Sequence, residues 1–249
     1  NTESEHHVPP SSKTSCEYGE SYLGMANFFD LDHRQRSPRS RQGILSRWDG
    51  DVDYSGDYRK FGFDYFDNRE LGIGYGGYTY DGRYEKAVHE MVKHYELRPD
   101  SRVLEVGCAK GFILYEFYKL GIQVCGIDVS EYAVKNAHGA VQHLISQGDA
   151  CCLPYRDKAF DLVFAKEILP HIDEAGLPAA ISECMRVSKW KVFFEIQCGR
   201  TSEELALMKK WDCTHQTMRP PAWWLSLFNS LEYFGDYHFK LLFPNGNKN

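Results

Sequence analysis

The sequence predicts a doubly wound, mostly parallel α/β sheet with helices on both faces. Three observations carry that prediction. Strand-length apolar runs alternate with helical patterns between residues 84 and 199, and a glycine-bearing loop follows the first of those strands. The chain has 249 residues, 43% of them hydrophobic and 14% aromatic, enough for one sizeable core with additions at either end.

Residues 1–20 are polar, carry Pro9, Pro10, Ser11 and Ser12, and read as a flexible lead-in. The chain begins at Asn1 and its first methionine is Met25, which reads as a trimmed product. Residues 21–83 read as an aromatic and glycine-rich lid and substrate region. Within it, residues 33–41 hold Arg34, Arg36, Arg39 and Arg41. That run reads as a solvated loop, or as a clamp whose guanidinium forks match a phosphate or carboxylate. From residue 54 to 84 tyrosine, phenylalanine and glycine are so dense that no regular helix is expected, and Tyr75, Tyr78 and Tyr80 could wall a ligand or cap the core.

Regular structure begins at Tyr84, where Ala87, Val88, Met91 and Val92 recur at helical spacing until Pro99 intervenes. A strand at 102–106, a helix at 111–120 and a strand at 122–127 follow. Ser130 is the expected N-cap of the next helix, with Glu131 in its first turn. Further strands are expected at 141–146, 160–165 and 191–196, with a helix at about 174–186. Residues 200–249 read as helices at 203–211 and 222–231, a turn at Pro220-Pro221 and a last strand at 237–243. The expected division is therefore a ligand-binding core at 84–199 and C-terminal elements at 200–249 that complete the sheet and the acceptor pocket.

The informative segment is Leu104-Glu105-Val106-Gly107-Cys108-Ala109-Lys110-Gly111. It sits at the carboxyl end of the first strand, where open α/β sheets bind ligands, and its glycines allow close backbone approach. No Gly-Lys-Ser/Thr follows, and the spacing is not that of the dinucleotide fingerprint. Glu105 would repel a diphosphate and suits an ammonium or sulfonium. Asp128 ends the second strand 21 residues after Gly107, placed to accept from both hydroxyls of an unphosphorylated ribose. Gly148-Asp149-Ala150 follows the third, where a carboxylate can accept from the amine of adenine. Amine, ribose and adenine contacts in chain order describe an adenosyl amino acid. Each anchor also has a plainer reading: the glycines as strand-to-helix packing, Asp128 as a helix cap, Asp149 as a turn.

With these residues and with Phe160-Asp161-Leu162-Val163-Phe164-Ala165-Lys166-Glu167-Ile168-Leu169-Pro170-His171-Ile172, residues 80–200 resemble the class I S-adenosylmethionine-dependent methyltransferases, of the small-molecule or sugar-modifying type. The resemblance implies a Rossmann-like sheet of seven strands, the last reversed, S-adenosylmethionine as cofactor, and N- and C-terminal additions forming a lid. It implies cofactor contacts at Glu105, Gly107, Asp128, Asp149 and the loop after Ala165. Cys108, Ala109, Gly111, Val129, Ala150, Lys166, Tyr80 and Arg83 complete the expected cofactor set. Only one strand is evident after Gly199, which departs from the family pattern.

Methyl transfer from an activated sulfonium is mainly alignment, worth on the order of 7–11 kcal/mol in favourable intramolecular reactions. A base is needed only for a hydroxyl or a protonated amine. Glu167 and His171, after the fourth strand, are the catalytic candidates, against packing and cofactor-loop roles. His215, in Asp212-Cys213-Thr214-His215, could overhang the acceptor. Trp211, Trp223 and Trp224 could stack on a ring, but more often such residues cement a helix to a sheet.

Acidic residues outnumber basic ones, 35 to 29, giving a net charge of −6, so no global attraction to nucleic acid or anionic lipid is expected. No apolar run has the length of a membrane span. The eight cysteines show no CxxC pair and no zinc spacing with histidine, so no metal is expected, and free thiols point to a reducing, cytoplasmic compartment. The expected function is methylation of oxygen or nitrogen on a sugar, a nucleotide-linked sugar or another secondary metabolite, with self-association left open. The alternatives are a catalytically silent cofactor-binding scaffold and, disfavoured by the glycine spacing and Glu105, a nucleotide-dependent oxidoreductase.

Overall fold

The computed structural model describes residues 26–29, 38–46 and 54–243. The expected lead-in at 1–20, and the basic run apart from its end at residues 38–41, lie outside them.

The sheet has six strands, β1 (Arg102–Val106), β2 (Gln123–Asp128), β3 (Ile145–Gln147), β4 (Phe160–Lys166), β5 (Ser188–Cys198) and β6 (Asp236–Leu241), in the order β3-β2-β1-β4-β5-β6. Every neighbouring pair is parallel, with Glu105 opposite Gly126 and Phe164, and Phe193 opposite Asp236. Both faces are buried, as a parallel sheet requires. Val103, Leu162, Phe164 and Phe193 enter one apolar core; Leu104, Val106, Val163, Ala165, Phe194 and Ile196 enter the other.

Helices α4 (Glu85–His94) and α5 (Phe112–Lys119) lie with the first core, α7 (Leu177–Val187) and α9 (Pro221–Ser230) with the second. Ser130 caps α6 (Glu131–Lys135) as expected, its Oγ accepting the Ala133 N–H at 2.9 Å. Trp224 is fully buried in the second core and cements α9 to the sheet.

Three expectations are corrected. The described sheet has six strands, all parallel, in place of seven with a reversed last strand. After β5 the chain makes α8 (Ser202–Trp211) and α9 and returns to pair β6 directly with β5, so no antiparallel strand is inserted there. Residues 54–84 do contain helix, as the single turns α2 (Gly56–Arg59) and α3 (Phe63–Phe66), the first capped by Ser55 Oγ accepting from Tyr58 N–H. The strand expected from Val141 begins only at Ile145, because Gln142–Leu144 coil into a 3₁₀ turn. An N-terminal helix, α1 (Pro38–Leu45), lies against α8.

Candidate functional site

The carboxyl ends of β1, β2 and β4 open into a cavity of about 630 Å³, large enough for a nucleoside cofactor and part of a second molecule. Gly107, Ala109, Asp128, Val129, Asp149, Ala150 and Lys166 line it, as does Arg83. Glu167 and His171 line it too.

The loop after β1 is shaped by its own backbone. Gly107 has φ +74°, a conformation costly for residues with a Cβ, and its N–H donates to Ile127 O at 2.7 Å. A Cβ on Gly107 would stand 2.0 Å from Ile168 Cγ2. Ala109 is also left-handed, φ +47°, held by its N–H donating to Asp128 Oδ2 at 2.6 Å. Asp128 Oδ1 accepts the Ser130 N–H at 2.8 Å. Asp128 is 8% exposed, and burial raises its carboxyl above the ordinary range despite these two bonds. Asp149 is exposed and accepts the Cys151 N–H at 2.8 Å, which is turn geometry on the cavity wall.

Four residues expected to touch a cofactor do not line the cavity. Gly111, φ +71°, serves packing: a Cβ there would meet Ile145 Cδ1 at 2.5 Å. Cys108 is buried under the loop, so close to β2 that a Cβ on Gly126 would meet its Sγ at 2.7 Å. Tyr80 turns to α5, its hydroxyl donating to Glu116 Oε1 at 2.8 Å. Glu105 is 2% exposed beneath the loop, its Oε2 lacks a hydrogen-bond partner, and burial pushes its carboxyl well up.

Glu167 follows β4 in a left-handed conformation, φ +61°, with its N–H donating to Glu195 O at 2.7 Å. Its carboxylate pairs with Lys240 and, at 3.1 Å, with Lys166, which also stands 3.3 Å from Glu195. Burial opposes its charge, yet the two lysines hold Glu167 well below the usual carboxylate range. Lys166 is held well up by Glu167 and Glu195 against the cost of burial. A carboxylate so paired is a poor proton acceptor.

His171 ends the 3₁₀ turn Leu169–His171 and lines the cavity together with residues from the C-terminal elements. Gln216 and Thr217 N–H both donate to Pro170 O, at 2.8 and 3.0 Å, stitching residues 212–217 onto this turn. Thr214 Oγ1 donates to Asp212 Oδ1 at 2.6 Å and lies 2.9 Å from His171 Nδ1. Since that hydroxyl hydrogen is committed to a carboxylate, His171 Nδ1–H is the donor and the lone pair is on Nε2. His215 packs on His171 with ring centroids 4.7 Å apart. Burial, and then His215, lower His171 to about 4, so the ring is neutral. Asp212, Gln197, Gln216, Tyr75, Tyr78 and Trp211 also line the cavity. Asp212, Gln197 and Gln216 could not be found from spacing; the only signal was the Asp-Cys-Thr-His segment around His215.

The glycine-rich segment is pinned to the loop. Asp67 accepts Lys110 Nζ at 2.5 and 2.7 Å and the Tyr132 hydroxyl at 2.7 Å, and Lys110 also donates to Tyr78 O at 3.0 Å. Ser130 Oγ donates to Phe61 O at 2.6 Å.

Residues 104–194 match the family model described as a methyltransferase domain. That span of the chain is a methyltransferase domain. The chain is 31% identical over 121 residues to a sterol 24-C-methyltransferase of Gibberella zeae, covering 45% of this chain and 31% of that one. It is 32% identical over 92 residues to a ubiquinone biosynthesis O-methyltransferase of Rhodopseudomonas palustris, covering 35% and 36%. The chain thus spans about a third of the length of the curated relatives it matches. The fold is shared with the YcgJ protein of Bacillus subtilis, TM-score 0.51, 22% identity, 58% of this chain and 66% of that one. It is shared also with a putative methyltransferase of Bacillus halodurans, TM-score 0.50, 18% identity, 58% and 67%.

The residues present fit the family's cofactor. A buried carboxylate, Asp128, and an exposed one, Asp149, both line the cavity, and Gly107, which lines it too, leaves no side chain there. No helix among the described residues is long and apolar enough to cross a membrane.

Proposed function

We propose that this chain transfers a methyl group from S-adenosylmethionine to an oxygen or nitrogen of a small-molecule acceptor held in the same cavity. The observation that carries the reading is that Gly107, Asp128 and Asp149 share one cavity of about 630 Å³ with His171, Gln197, Asp212 and Gln216. The cavity thus holds groups suited to an adenosyl amino acid and, besides them, polar groups to spare.

S-adenosylmethionine, when bound, would supply a methyl on a cationic sulfur that keeps the electron pair of the broken sulfur-to-carbon bond as the acceptor atom bonds the carbon, the acceptor's proton being lost to solvent. The chain's own part is placement. Asp128 holds the ribose hydroxyls, with its remaining lone pairs beyond those given to Ala109 and Ser130. Asp149 and Ala150 meet the base, and the backbone at Gly107 and Ala109 meets the amino-acid portion. Tyr75, Tyr78 and Trp211 exclude water around the reacting atoms. His171 meets the reacting end of the acceptor, and Glu167 organises the wall through Lys166 and Lys240.

Relatives named for a sterol and for ubiquinone biosynthesis support a small acceptor. The net charge of −6 supports a partner other than nucleic acid. Among the described residues seven cysteines are unpaired, which supports a reducing, cytoplasmic setting.

Calorimetric titration with S-adenosylhomocysteine, then with NADH, tests the reading. Heat with the first and none with the second is expected, and His171→Ala should retain the nucleoside while losing turnover. Heat with NADH only, or with neither, removes it.

A further inference from the structure

Among the described residues, His171, Asp212 and His215 each offer a ligand atom within 4.8 Å of those of the other two. We propose that these three residues bind a divalent transition-metal ion at the acceptor end of the cavity, and that the acceptor is an oxygen-donor molecule held through that ion. The inference deepens the methyl-transfer reading and rests on it for the acceptor's role, while the ion site stands on its own geometry.

The hydrogen bonds determine which atoms remain. Thr214 takes His171 Nδ1–H, leaving the Nε2 lone pair. Gln197 Oε1 accepts from His215 Nε2 at 2.9 Å, so that nitrogen carries the hydrogen and the lone pair is on Nδ1. His215 is 6% exposed, and its Nδ1 has no hydrogen-bond partner. Asp212 Oδ1 accepts both the Thr214 N–H at 2.9 Å and the Thr214 hydroxyl at 2.6 Å, leaving Oδ2 outside that motif. Two imidazoles with forced tautomers and one oriented carboxylate are what metal sites use, each ligand held from behind by a hydrogen bond.

A buried lone pair beside a second imidazole and a carboxylate attracts a cation far better than another acceptor. Donors in a tetrahedral site stand ~3.3 Å apart, from metal-to-ligand distances of ~2.0–2.1 Å, so contraction of this cluster completes the site. Two nitrogens and one oxygen favour zinc, iron(II), cobalt(II) or manganese over magnesium and calcium. Three protein ligands leave positions open, and His171 and Asp212 both line the cavity.

An acceptor hydroxyl on the ion gives up its proton to solvent more readily. The freed oxygen pair then makes the bond to the methyl carbon as the sulfur-to-carbon bond breaks and its pair returns to sulfur. Sugars with neighbouring hydroxyls and hydroxy-carbonyl compounds are the fitting class.

The full chain, stripped with a chelator and dialysed, is titrated with cobalt(II) chloride while visible absorption is followed, with S-adenosylhomocysteine binding measured on the same samples. One cobalt per chain at micromolar affinity is expected, weakened by about 100-fold or more in His215→Gln and in Asp212→Asn. The exposed His143→Gln control should bind as the unaltered chain does, and nucleoside affinity should be unchanged in every variant that keeps its circular dichroism. His171→Gln supplies a further ligand deletion should Asp212→Asn not fold. Equal cobalt binding with and without His215, or no absorption band, overturns the site. Cobalt bound without any nucleoside binding leaves the site standing and overturns methyl transfer.

Discussion

Asp128 at the end of β2 accepts the N–H of Ala109, 19 residues earlier, at 2.6 Å. One carboxylate therefore fixes a left-handed loop residue with one oxygen and caps the start of α6 through Ser130 with the other. The side chain expected to hold a ribose is also the side chain that builds the loop. Loss of Asp128 should therefore cost both binding and stability. Asp128→Ala leaves two backbone donors unpartnered, at about 1–3 kcal/mol each where buried. Urea unfolding should show a lower midpoint, and calorimetry little or no S-adenosylhomocysteine binding. A variant of unchanged stability would show that the loop holds its shape without this carboxylate.

Gly107→Ala tests the same loop from the other side. The added methyl would fall 2.0 Å from Ile168 Cγ2 in a residue already at φ +74°. A left-handed alanine costs roughly 1–2 kcal/mol, and the clash adds to it. Pairing it with Ile168→Ala removes the clash and leaves the backbone strain. The double variant should be worse than Ile168→Ala alone by that strain only, as measured by denaturant unfolding. Equal costs of Gly107→Ala in both backgrounds would deny the contact.

The Lys110–Asp67 pair, at 2.5 Å, anchors the segment before the glycine-rich stretch to the loop after β1. Lys110→Met leaves Asp67 with the Tyr132 hydroxyl and the Tyr78 N–H but no cation. Breaking one side of a buried pair costs about 3 kcal/mol or more, and Asp67 is partly exposed, so a smaller loss is expected. Limited proteolysis should open residues 54–84 first. An unchanged digestion pattern would argue that aromatic packing alone, such as Tyr75 on Tyr78 with centroids 4.1 Å apart, holds the segment.

Burial pushes the Glu105 carboxyl well above the ordinary value, so the folded chain keeps a proton there that the unfolded chain releases near pH ~4.3. The stability this group contributes is full below that pH and is lost as pH rises through the folded value. Glu105→Gln keeps the shape and cannot ionise. It should gain stability relative to the unaltered chain more at pH 8 than at pH 5, in paired urea titrations. The opposite slope would mean that Lys166 keeps the carboxylate charged.

Alternation of strand and helix, the Ser130 cap, and the positions of Gly107, Asp128 and Asp149 were legible because each depends on neighbours along the chain. A strand buried on both faces must be apolar throughout, and a loop that turns left-handed at the end of a strand selects glycine. The same local rules could not separate cavity from foundation. Gly111, Cys108, Tyr80 and Glu105 lie within or near the motifs, yet their side chains or missing side chains serve packing, a fact set by what Ile145, Gly126 and α5 place opposite them.

Sequence alone determined the sheet's class and the glycine-bearing loop after β1. Tertiary structure decided the parallel sixth strand and the cluster around His171. Asp212, Thr214 and His215 meet His171 and Gln197 only because Gln216 and Thr217 bond to Pro170, more than 40 residues away in the chain. Hydrogen bonds between such distant segments leave no period or spacing in a sequence, since their geometry exists only once residues 212–217 have packed against the turn after β4.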